Sequence, residues 1–180
     1  MRIILCAFDE SLQKAWDAAL AEVAGPALRA GHTLETTLGD ITRLNVTAVV
    51  SPANSYGYMR GGVDLAYARR FGPGLENNLR ARIVALPQAM LPVGQALAVA
   101  TGDTAIPWLI SAPTMEQPMR LPGPEPVQAA SRAAAAFALQ QGYASVAFPG
   151  MGTGTGGLAP DAAAFAMLRG LCQGLDCSPG

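Results

Sequence analysis

Residues 150–157, GMGTGTGG, have the composition of an anion-binding loop. Five glycines and two threonines occupy these eight positions, between a predicted strand and a predicted helix that begins near Pro160. Glycines allow successive backbone N–H groups to face one anion, and a helix N-terminus adds a positive dipole. The segment lacks the lysine of a P-loop, and the rest of a βαβ dinucleotide-binding unit is not expected to follow it. We therefore predict a different phosphate site, formed by Gly152, Thr153, Gly154 and Thr155, the alternative being a flexible turn without a ligand.

A second loop, residues 51–64, combines glycines with polar side chains in the sequence SPANSYGYMRGGVD. It also lies between a predicted strand and a predicted helix. Asn54 offers a donor and an acceptor suited to sugar hydroxyls, and Gly61 and Gly62 let the backbone approach a second phosphate. Asp64 is the only carboxylate in the loop. It is either a functional group or an acidic first-turn residue that the helix dipole favours.

A third segment, Gly39-Asp40-Ile41-Thr42, carries an isolated carboxylate. Taken alone, Asp40 is typical of a turn or of a helix N-cap. Together with two loops of phosphate-binding composition, it predicts a nucleoside diphosphate ligand.

The hydrophobic pattern around these loops predicts strands that alternate with helices. The predicted strands are residues 2–8, 33–38, 46–51, 95–100, 106–111 and 145–148. The predicted helices are residues 12–23, ended by Gly25-Pro26, then 63–71, 75–86, 126–141 and a last helix from Pro160. This alternation predicts an α/β fold whose mixed, mostly parallel sheet is covered by helices, with ligands at the carboxyl ends of the strands. Residues 112–126 contain five prolines and are predicted to form a surface loop.

Length and composition predict one soluble domain that spans residues 1–180. Apolar residues make up 51% of the chain and charged residues 14%, which excludes disorder as the main state. A net charge of −1 without a basic run argues against nonspecific binding to nucleic acid or to anionic membranes. No apolar stretch approaches the roughly 20 residues of a membrane span, and no signal sequence is evident. We therefore expect a cytoplasmic protein that is a monomer.

Few residues are available for histidine or metal chemistry. His32 is the only histidine, and it follows a glycine in a predicted loop. We therefore expect it to be a surface residue and not a catalyst. Cys6, Cys172 and Cys177 show neither zinc-ligand spacing nor a disulfide framework. We therefore expect no metal and no cofactor.

Three motifs follow one another along the chain: GDITRLNVTAVVSPAN at 39–54, GGVD at 61–64 and SVAFPGMGTG at 145–154. Their order and spacing resemble the macrodomain family of ADP-ribose-binding modules, from about residue 39 to about residue 171. The resemblance implies a three-layer α/β/α sandwich with ADP-ribose lying across the top of the sheet. Residues 1–38 then form an N-terminal strand–helix–strand extension of the same domain.

The resemblance also implies roles for single residues. It implies that Asp40 accepts a hydrogen bond from the adenine amino group and that the backbone of Ile41 meets the adenine ring. Asn54 then serves the distal ribose, and Asp64 helps to activate a water at the anomeric carbon. The two implied diphosphate loops are Gly61, Gly62 and Val63, and Thr153, Gly154 and Thr155.

The sequence departs from the family at three places in this site. Between Asn54 and Gly61 it has Tyr56, Tyr58, Met59 and Arg60, where many hydrolytic members have glycines. Ser51-Pro52 stands where the family has the first asparagine of an Asn-Ala-Ala-Asn motif, and Gly156 stands where an aromatic residue is frequent. Tyr56 or Tyr58 is therefore the candidate to cover the distal ribose.

The residues exclude two of the family's mechanisms and leave two functions open. A covalent lysine adduct is excluded because Lys14, the only lysine, lies outside the matched loops, and a zinc mechanism needs a Cys/His cluster. One open function is metal-free hydrolysis of mono-ADP-ribose from modified proteins or ADP-ribose esters, assisted by Asp64. The other is noncatalytic reading of ADP-ribosylated partners, and a nucleotide-binding domain for another ligand is a third alternative. Nucleic acid is expected only as an ADP-ribosylated substrate.

Overall fold

A six-stranded sheet forms the central layer of the protein. The computed structural model describes residues 1–23 and 31–175, so the predicted helix end at Gly25-Pro26 and Cys177 lie outside the described residues. The strands are β1 (Arg2–Ala7), β2 (Thr33–Leu38), β3 (Ala48–Ser51), β4 (Leu97–Ala100), β5 (Trp108–Ser111) and β6 (Ser145–Pro149). Their order is β2-β1-β6-β3-β5-β4. All neighbours are parallel except β4 and β5, which confirms the predicted mixed, mostly parallel sheet.

Helices cover both faces of this sheet. They are α1 (Glu10–Val23), α2 (Gly62–Phe71), α3 (Gly74–Val84), α4 (Glu125–Gln140) and α5 (Pro160–Gly174), with a short 3-10 helix at Ile41–Arg43. Successive strand side chains point to opposite faces, so each strand contributes to two cores. Val50 packs in the core that α1, α4 and α5 cover, whereas Val49 packs in the core that α2 and α3 cover. The result is the predicted three-layer α/β/α sandwich.

Two glycines allow α5 to lie close against α4. A Cβ atom built on Gly170 would lie 2.9 Å from the Ser131 Cβ, and one on Gly174 would lie 2.9 Å from the Ala135 Cβ. Because these glycines are four residues apart, they share one face of α5. This packing fixes the helix that comes after the glycine-rich loop.

The prediction of a surface loop over residues 112–126 is wrong for the first part of that segment. Ala112 and Thr114 are buried, at 0% and 1% exposure. The reason is pairing with the residues after β3: the Thr114 hydroxyl donates to the Pro52 carbonyl at 3.1 Å, and the Ser55 N–H donates to the Met115 carbonyl at 3.1 Å. In addition, Glu125 and Pro126 already belong to α4.

Among the described residues, no helix combines the length and the apolar character needed to cross a membrane.

Candidate functional site

The predicted site residues come after strands that all end at the same edge of the sheet. β2, β1, β6, β3 and β5 are mutually parallel, so their carboxyl ends form one edge, called here the carboxyl edge. Asp40 comes after β2, Asn54 after β3, and residues 150–157 after β6. β3 and β6 are neighbours in the sheet, so the two glycine-containing loops start side by side. Parallel strands thus bring together segments that are far apart in the sequence. They meet at the carboxyl edge, which is where folds of this kind bind ligands.

Residues 112–124, called here the bridging segment, connect the two loops. Its first residues pair with Pro52 and Ser55. Further along, the Leu121 N–H donates to the Gly156 carbonyl at 2.9 Å. The segment that was predicted as a surface loop is therefore a part of the site's framework.

Asp40 combines a structural role with a carboxylate oxygen, Oδ2, that is free of hydrogen bonds and is paired with Arg43. Its Oδ1 accepts hydrogen bonds from the Thr42 N–H at 2.9 Å and from the Thr42 hydroxyl at 2.7 Å, and so caps the 3-10 helix. These two bonds, with Arg43 nearby, lower the pKa of Asp40. Oδ2 lies 3.6 Å from the Arg43 Nε, and the side chain is 51% exposed. The adjacent Ile41 side chain is buried in the core under α2 and α3, which leaves its backbone as the part available to a ligand.

The Asn54 amide is largely engaged within its own loop. Its Oδ1 accepts from the N–H groups of Tyr56 at 3.1 Å and Tyr58 at 3.3 Å, and its Nδ2 donates to the Tyr58 carbonyl at 3.0 Å. Both acceptor positions are thus occupied, and one Nδ2 hydrogen remains. The predicted contact with a sugar is therefore restricted to a single donor.

The glycines of the two loops differ in what surrounds them. Gly62 has a φ of +55° at the start of α2, and Cβ atoms on Gly61 or Gly62 would meet no neighbour within 4 Å. Gly154 also borders open space, and its φ is not positive. In contrast, Gly152 has a φ of +82°, and a Cβ there would lie 2.6 Å from the Val127 Cγ2. Gly61, Gly62 and Gly154 therefore leave backbone accessible to a ligand, whereas Gly152 is required by the turn itself.

Asp64 is a buried carboxylate in the first turn of α2. It is 8% exposed, and its Oδ1 accepts a hydrogen bond of 2.5 Å from the Ser51 hydroxyl. Burial raises the pKa of Asp64 to about 7, although the bond from Ser51 acts in the opposite direction. A carboxyl group that titrates near neutrality is suited to take up or release a proton during a reaction.

The comparison with known families agrees with this geometry. The profile of the Macro domain matches residues 50–167. The chain belongs to the Macro domain family. This confirms the resemblance seen in the sequence, and the matched range contains both glycine-containing loops, the bridging segment and Asp64.

Relatives of this macrodomain occur in bacteria and archaea. It is 38% identical over 136 residues to an uncharacterized protein of Aquifex aeolicus, covering 76% of this chain and 79% of that one. It is 40% identical over 128 residues to an uncharacterized protein of Aeropyrum pernix, covering 71% and 64%. An uncharacterized protein of Mycobacterium tuberculosis is 34% identical over 138 residues, which are 75% of this chain and 36% of that protein. The matched part of the chain thus corresponds to between about four-fifths and about a third of the length of these relatives.

Solved macrodomains share the fold. The macrodomain of Mycobacterium tuberculosis DarG superposes with a TM-score of 0.61 at 25% identity and covers 69% of this chain and 80% of its own. The Oceanobacillus iheyensis macrodomain with MES bound gives a TM-score of 0.67 at 24% identity, covering 76% and 74%.

A cavity of about 350 Å³ lies beside Asn54 in this macrodomain. It is lined by Asn54, Tyr56, Tyr58, Gln117 and Pro118. The Tyr56 hydroxyl donates to the Glu116 carboxylate at 3.1 Å. The guanidinium groups of Arg60 and Arg80 lie over the ring of Tyr58, 4.7 Å and 4.2 Å from its centre, and the Arg80 Nη2 also donates to the Tyr58 hydroxyl at 3.1 Å. Both tyrosines are therefore held in place next to the residue predicted to serve the distal ribose.

Gly156 cannot carry the aromatic side chain that is frequent at its position in macrodomains. A Cβ there would lie 2.6 Å from the Gly152 carbonyl oxygen and 2.9 Å from the Leu121 Cδ1. The bridging segment occupies this space instead.

Sequence reasoning missed Arg120. A Cβ on Gly157 would lie 2.9 Å from the Arg120 Nη2, so the guanidinium packs against the glycine-rich loop. Within the described part of the chain, Arg120 takes part in no ion pair. The one available signal was that Arg120 is the only basic residue of the bridging segment.

Lys14 and His32 lie on other parts of the fold. Lys14 pairs with Glu10 at 3.1 Å on the surface of α1. The His32 Nδ1 lies 3.4 Å from the N-terminal amine, just before β2 begins. Residues 1–23 and 31–175 contain no group of three or more His, Cys, Asp or Glu side chains placed to hold a metal ion.

Proposed function

We propose that this macrodomain binds ADP-ribose along the carboxyl edge and hydrolyses the bond between its distal ribose and a modified acceptor. The observation that carries the proposal is Asp64, a buried carboxylate with a pKa of about 7 at the start of α2, two residues after the pair Gly61-Gly62. The binding part is supported by the Oceanobacillus iheyensis macrodomain, which has been determined with ADP and, as a mutant, with ADPR.

The ligand in this proposal extends across three strand ends. The free Oδ2 of Asp40 accepts from the adenine amino group, while Oδ1 stays with Thr42. The diphosphate lies between the start of α2 and residues 152–155, where glycine backbone borders open space and helix dipoles favour anions. Arg120 adds a positive charge on the side of the glycine-rich loop. The remaining Nδ2 hydrogen of Asn54 donates to a hydroxyl of the distal ribose.

The proposed reaction needs only water and a base. The oxygen of a water bonds to the anomeric carbon, and the bond from that carbon to the acceptor breaks. One proton of the water stays on the new hydroxyl group of the ribose. The other passes to Asp64, which releases it to the departing acceptor, so Asp64 is ionised again and the products are ADP-ribose and the free acceptor. Asp64 must be ionised to act as the base, and a pKa near 7 provides both the ionised form and sufficient basicity.

Noncatalytic reading of ADP-ribosylated partners is the second candidate. The engagement of Asp64 favours it, because a carboxylate that is 8% exposed and bonded to Ser51 has little access to water. Both candidates use the same ligand site and differ only in turnover.

A release assay distinguishes the two functions. Mono-ADP-ribosylated proteins with acidic, serine and arginine linkages are incubated with the wild-type protein and with Asp64→Asn, after calorimetry has established ADP-ribose binding by both. Hydrolysis predicts release from at least one linkage and a loss of about 10²- to 10⁴-fold in Asp64→Asn, with affinity for ADP-ribose changed only a few-fold. Binding without release from any linkage identifies a reader. Absence of binding at millimolar ADP-ribose contradicts both.

A further inference from the structure

Ser51 and Asp64 join two elements of the site. Ser51 is the last residue of β3 and is fully buried, and its hydroxyl lies 2.5 Å from the Asp64 Oδ1 in the first turn of α2. Ser51 is paired with Ser111 of β5, and the N–H of Ala112, the residue after β5, donates to the Ser51 carbonyl at 2.9 Å. The hydroxyl is therefore a donor on a rigid strand, aimed at one particular oxygen of the carboxyl group.

This bond makes the two oxygens of Asp64 unequal. A serine hydroxyl has one hydrogen, and here it is directed at Oδ1, which must accept it. When Asp64 takes up a proton, that proton is consequently placed on Oδ2. An ionised acceptor strengthens such a bond, so Ser51 also favours the carboxylate over the neutral acid.

The other groups near Asp64 do not share this role. Tyr67, one turn further along α2, donates its hydroxyl to the Val50 carbonyl at 3.0 Å. Burial raises the pKa of Tyr67, and the charges of Asp64, Cys6 and Asp40 raise it further, whereas the pKa of Asp64 responds to burial and to Ser51. Ser111 is paired with Ser51 in the register of β5 and β3, but its buried hydroxyl has no hydrogen-bond partner among the described residues. Among the described residues, Ser51 is the one whose side chain donates a hydrogen bond to Asp64.

We propose that Ser51 is a positioning residue that holds Asp64 through Oδ1 and leaves Oδ2 as the oxygen that exchanges a proton with water. The inference rests on the proposed hydrolysis and assigns a task to the serine that stands where the family has asparagine. Ser51 does not touch the substrate; it acts through Asp64.

The test is a titration of Asp64 in Ser51→Ala, with Ser111→Ala as the matched control. The ¹³C signal of the Asp64 carboxyl group is followed by NMR against pH in the intact protein, and kcat and KM are measured over the same range. We expect Ser51→Ala to move the Asp64 titration and the acid limb of the kcat profile upward by about one pH unit. The loss of kcat is then about tenfold below pH 6 and small at pH 9, with KM nearly unchanged.

Two further variants complete the design. Ser51→Thr keeps the hydroxyl, so Asp64 is expected to titrate as in the wild-type protein. Ser111→Ala removes a hydroxyl that is equally buried, and the Asp64 titration is expected to stay unchanged. If Ser51→Ala does not fold, Ser51→Cys, a weak donor of similar shape, makes the same measurement.

An unchanged Asp64 titration in Ser51→Ala, or an equal shift in Ser111→Ala, overturns the proposal. A fall in kcat that is the same at every pH overturns it as well, because a merely structural role produces that result. Failure of the wild-type protein to release ADP-ribose contradicts the proposed hydrolysis instead, and the NMR titration then decides the bond between Ser51 and Asp64 independently.

Discussion

At the scale of single residues, the chemistry of the site depends on two carboxylates in opposite surroundings. Asp40 is half exposed and accepts two hydrogen bonds from Thr42, and these contacts lower its pKa. Asp64 is buried and has one donor, and burial raises its pKa to about 7. The same side chain is thus a permanent anion at one strand end and a proton-exchanging group at the next.

The raised pKa of Asp64 predicts a pH-dependent effect of Asp64→Asn on stability. Between the ordinary value of 3.8 and about 7, the folded protein holds a proton that the unfolded chain has lost, so stability falls as the pH rises through this range. An asparagine side chain cannot ionise, so the stability of Asp64→Asn relative to wild type should rise by about 3 kcal/mol between pH 4.5 and pH 8. Urea unfolding at both pH values measures this. Asp161→Asn, which changes an exposed carboxylate, is the control, and a comparable gain in that variant would refute the explanation by burial.

Asp40→Asn tests the adenine end of the site. An asparagine can keep its Oδ1 on Thr42 while replacing the free Oδ2 acceptor with an amide donor. We expect ADP-ribose to bind more than tenfold more weakly, since a hydrogen bond to an ionised acceptor is worth roughly 1.5–3 kcal/mol, and ribose 5-phosphate to bind as before. Calorimetry with both ligands measures the difference. Equal weakening of the two would mean that Asp40 is only a cap of the 3-10 helix.

At the scale of elements, the two loops owe their position to the contacts that hold the chain just beyond β3 and β6. The start of α2 and the turn after β6 leave glycine backbone facing open space. The bridging segment, which follows β5, forms hydrogen bonds to Pro52 just after β3 and to Gly156 in the turn after β6. A loop without such ties would be free to move and would bind an anion less firmly.

Gly154→Val and Gly152→Val should have different effects. Gly154 borders open space with an ordinary φ, so the valine is expected to fold normally and to obstruct the approach of a diphosphate to the backbone. Gly152 has a φ of +82° and no room for a Cβ beside Val127, so its valine variant should lose stability. Thermal denaturation and ADP-ribose calorimetry on both variants measure this. Normal binding by a folded Gly154→Val would remove this loop from the diphosphate site.

Arg120→Gln tests the bridging segment as a contributor of charge. The guanidinium packs against Gly157 and lacks an acidic partner in the described ranges, so it is available to an anion. We expect ADP-ribose to bind several-fold more weakly, with a reduced dependence on salt, and adenosine to be unaffected. Arg169→Gln, on the exposed face of α5, removes the same charge elsewhere. If the two variants bind alike, Arg120 has no local role.

At the scale of the whole molecule, the site exists because five parallel strands end at one edge. Segments that are separated by about a hundred residues meet there. A ligand that contacts all of them should therefore stabilise the fold as a unit.

ADP-ribose is accordingly expected to stabilise the protein more than AMP does. For a dissociation constant in the micromolar range, ligand at about 100 times that constant adds about 2.7 kcal/mol to the free energy of unfolding. Thermal denaturation with equal concentrations of ADP-ribose and AMP measures this, because AMP lacks the second phosphate and the distal ribose. Equal shifts in melting temperature would show that these parts of ADP-ribose make no net contribution.

The sequence by itself determined the alternation of elements and the family. Strands and helices are predicted from patterns among neighbouring residues, such as short apolar runs, helical spacing and glycines at turns. The predicted bounds of β2 therefore agree with the observed ones, and the predicted start of α2 differs by one residue. The macrodomain motifs likewise consist of contiguous residues with a fixed order.

Only the tertiary structure decided what surrounds each side chain. The amide of Asn54 is occupied by Tyr56 and Tyr58, the bond between Ser51 and Asp64 spans a strand and a helix, and Arg120 reaches Gly157 from the bridging segment. The proline content of that segment predicted exposure, but hydrogen bonds to the residues after β3 bury its first residues. Burial, hydrogen-bond occupancy and pKa depend on atoms contributed by residues distant in the sequence, and no local pattern contains them.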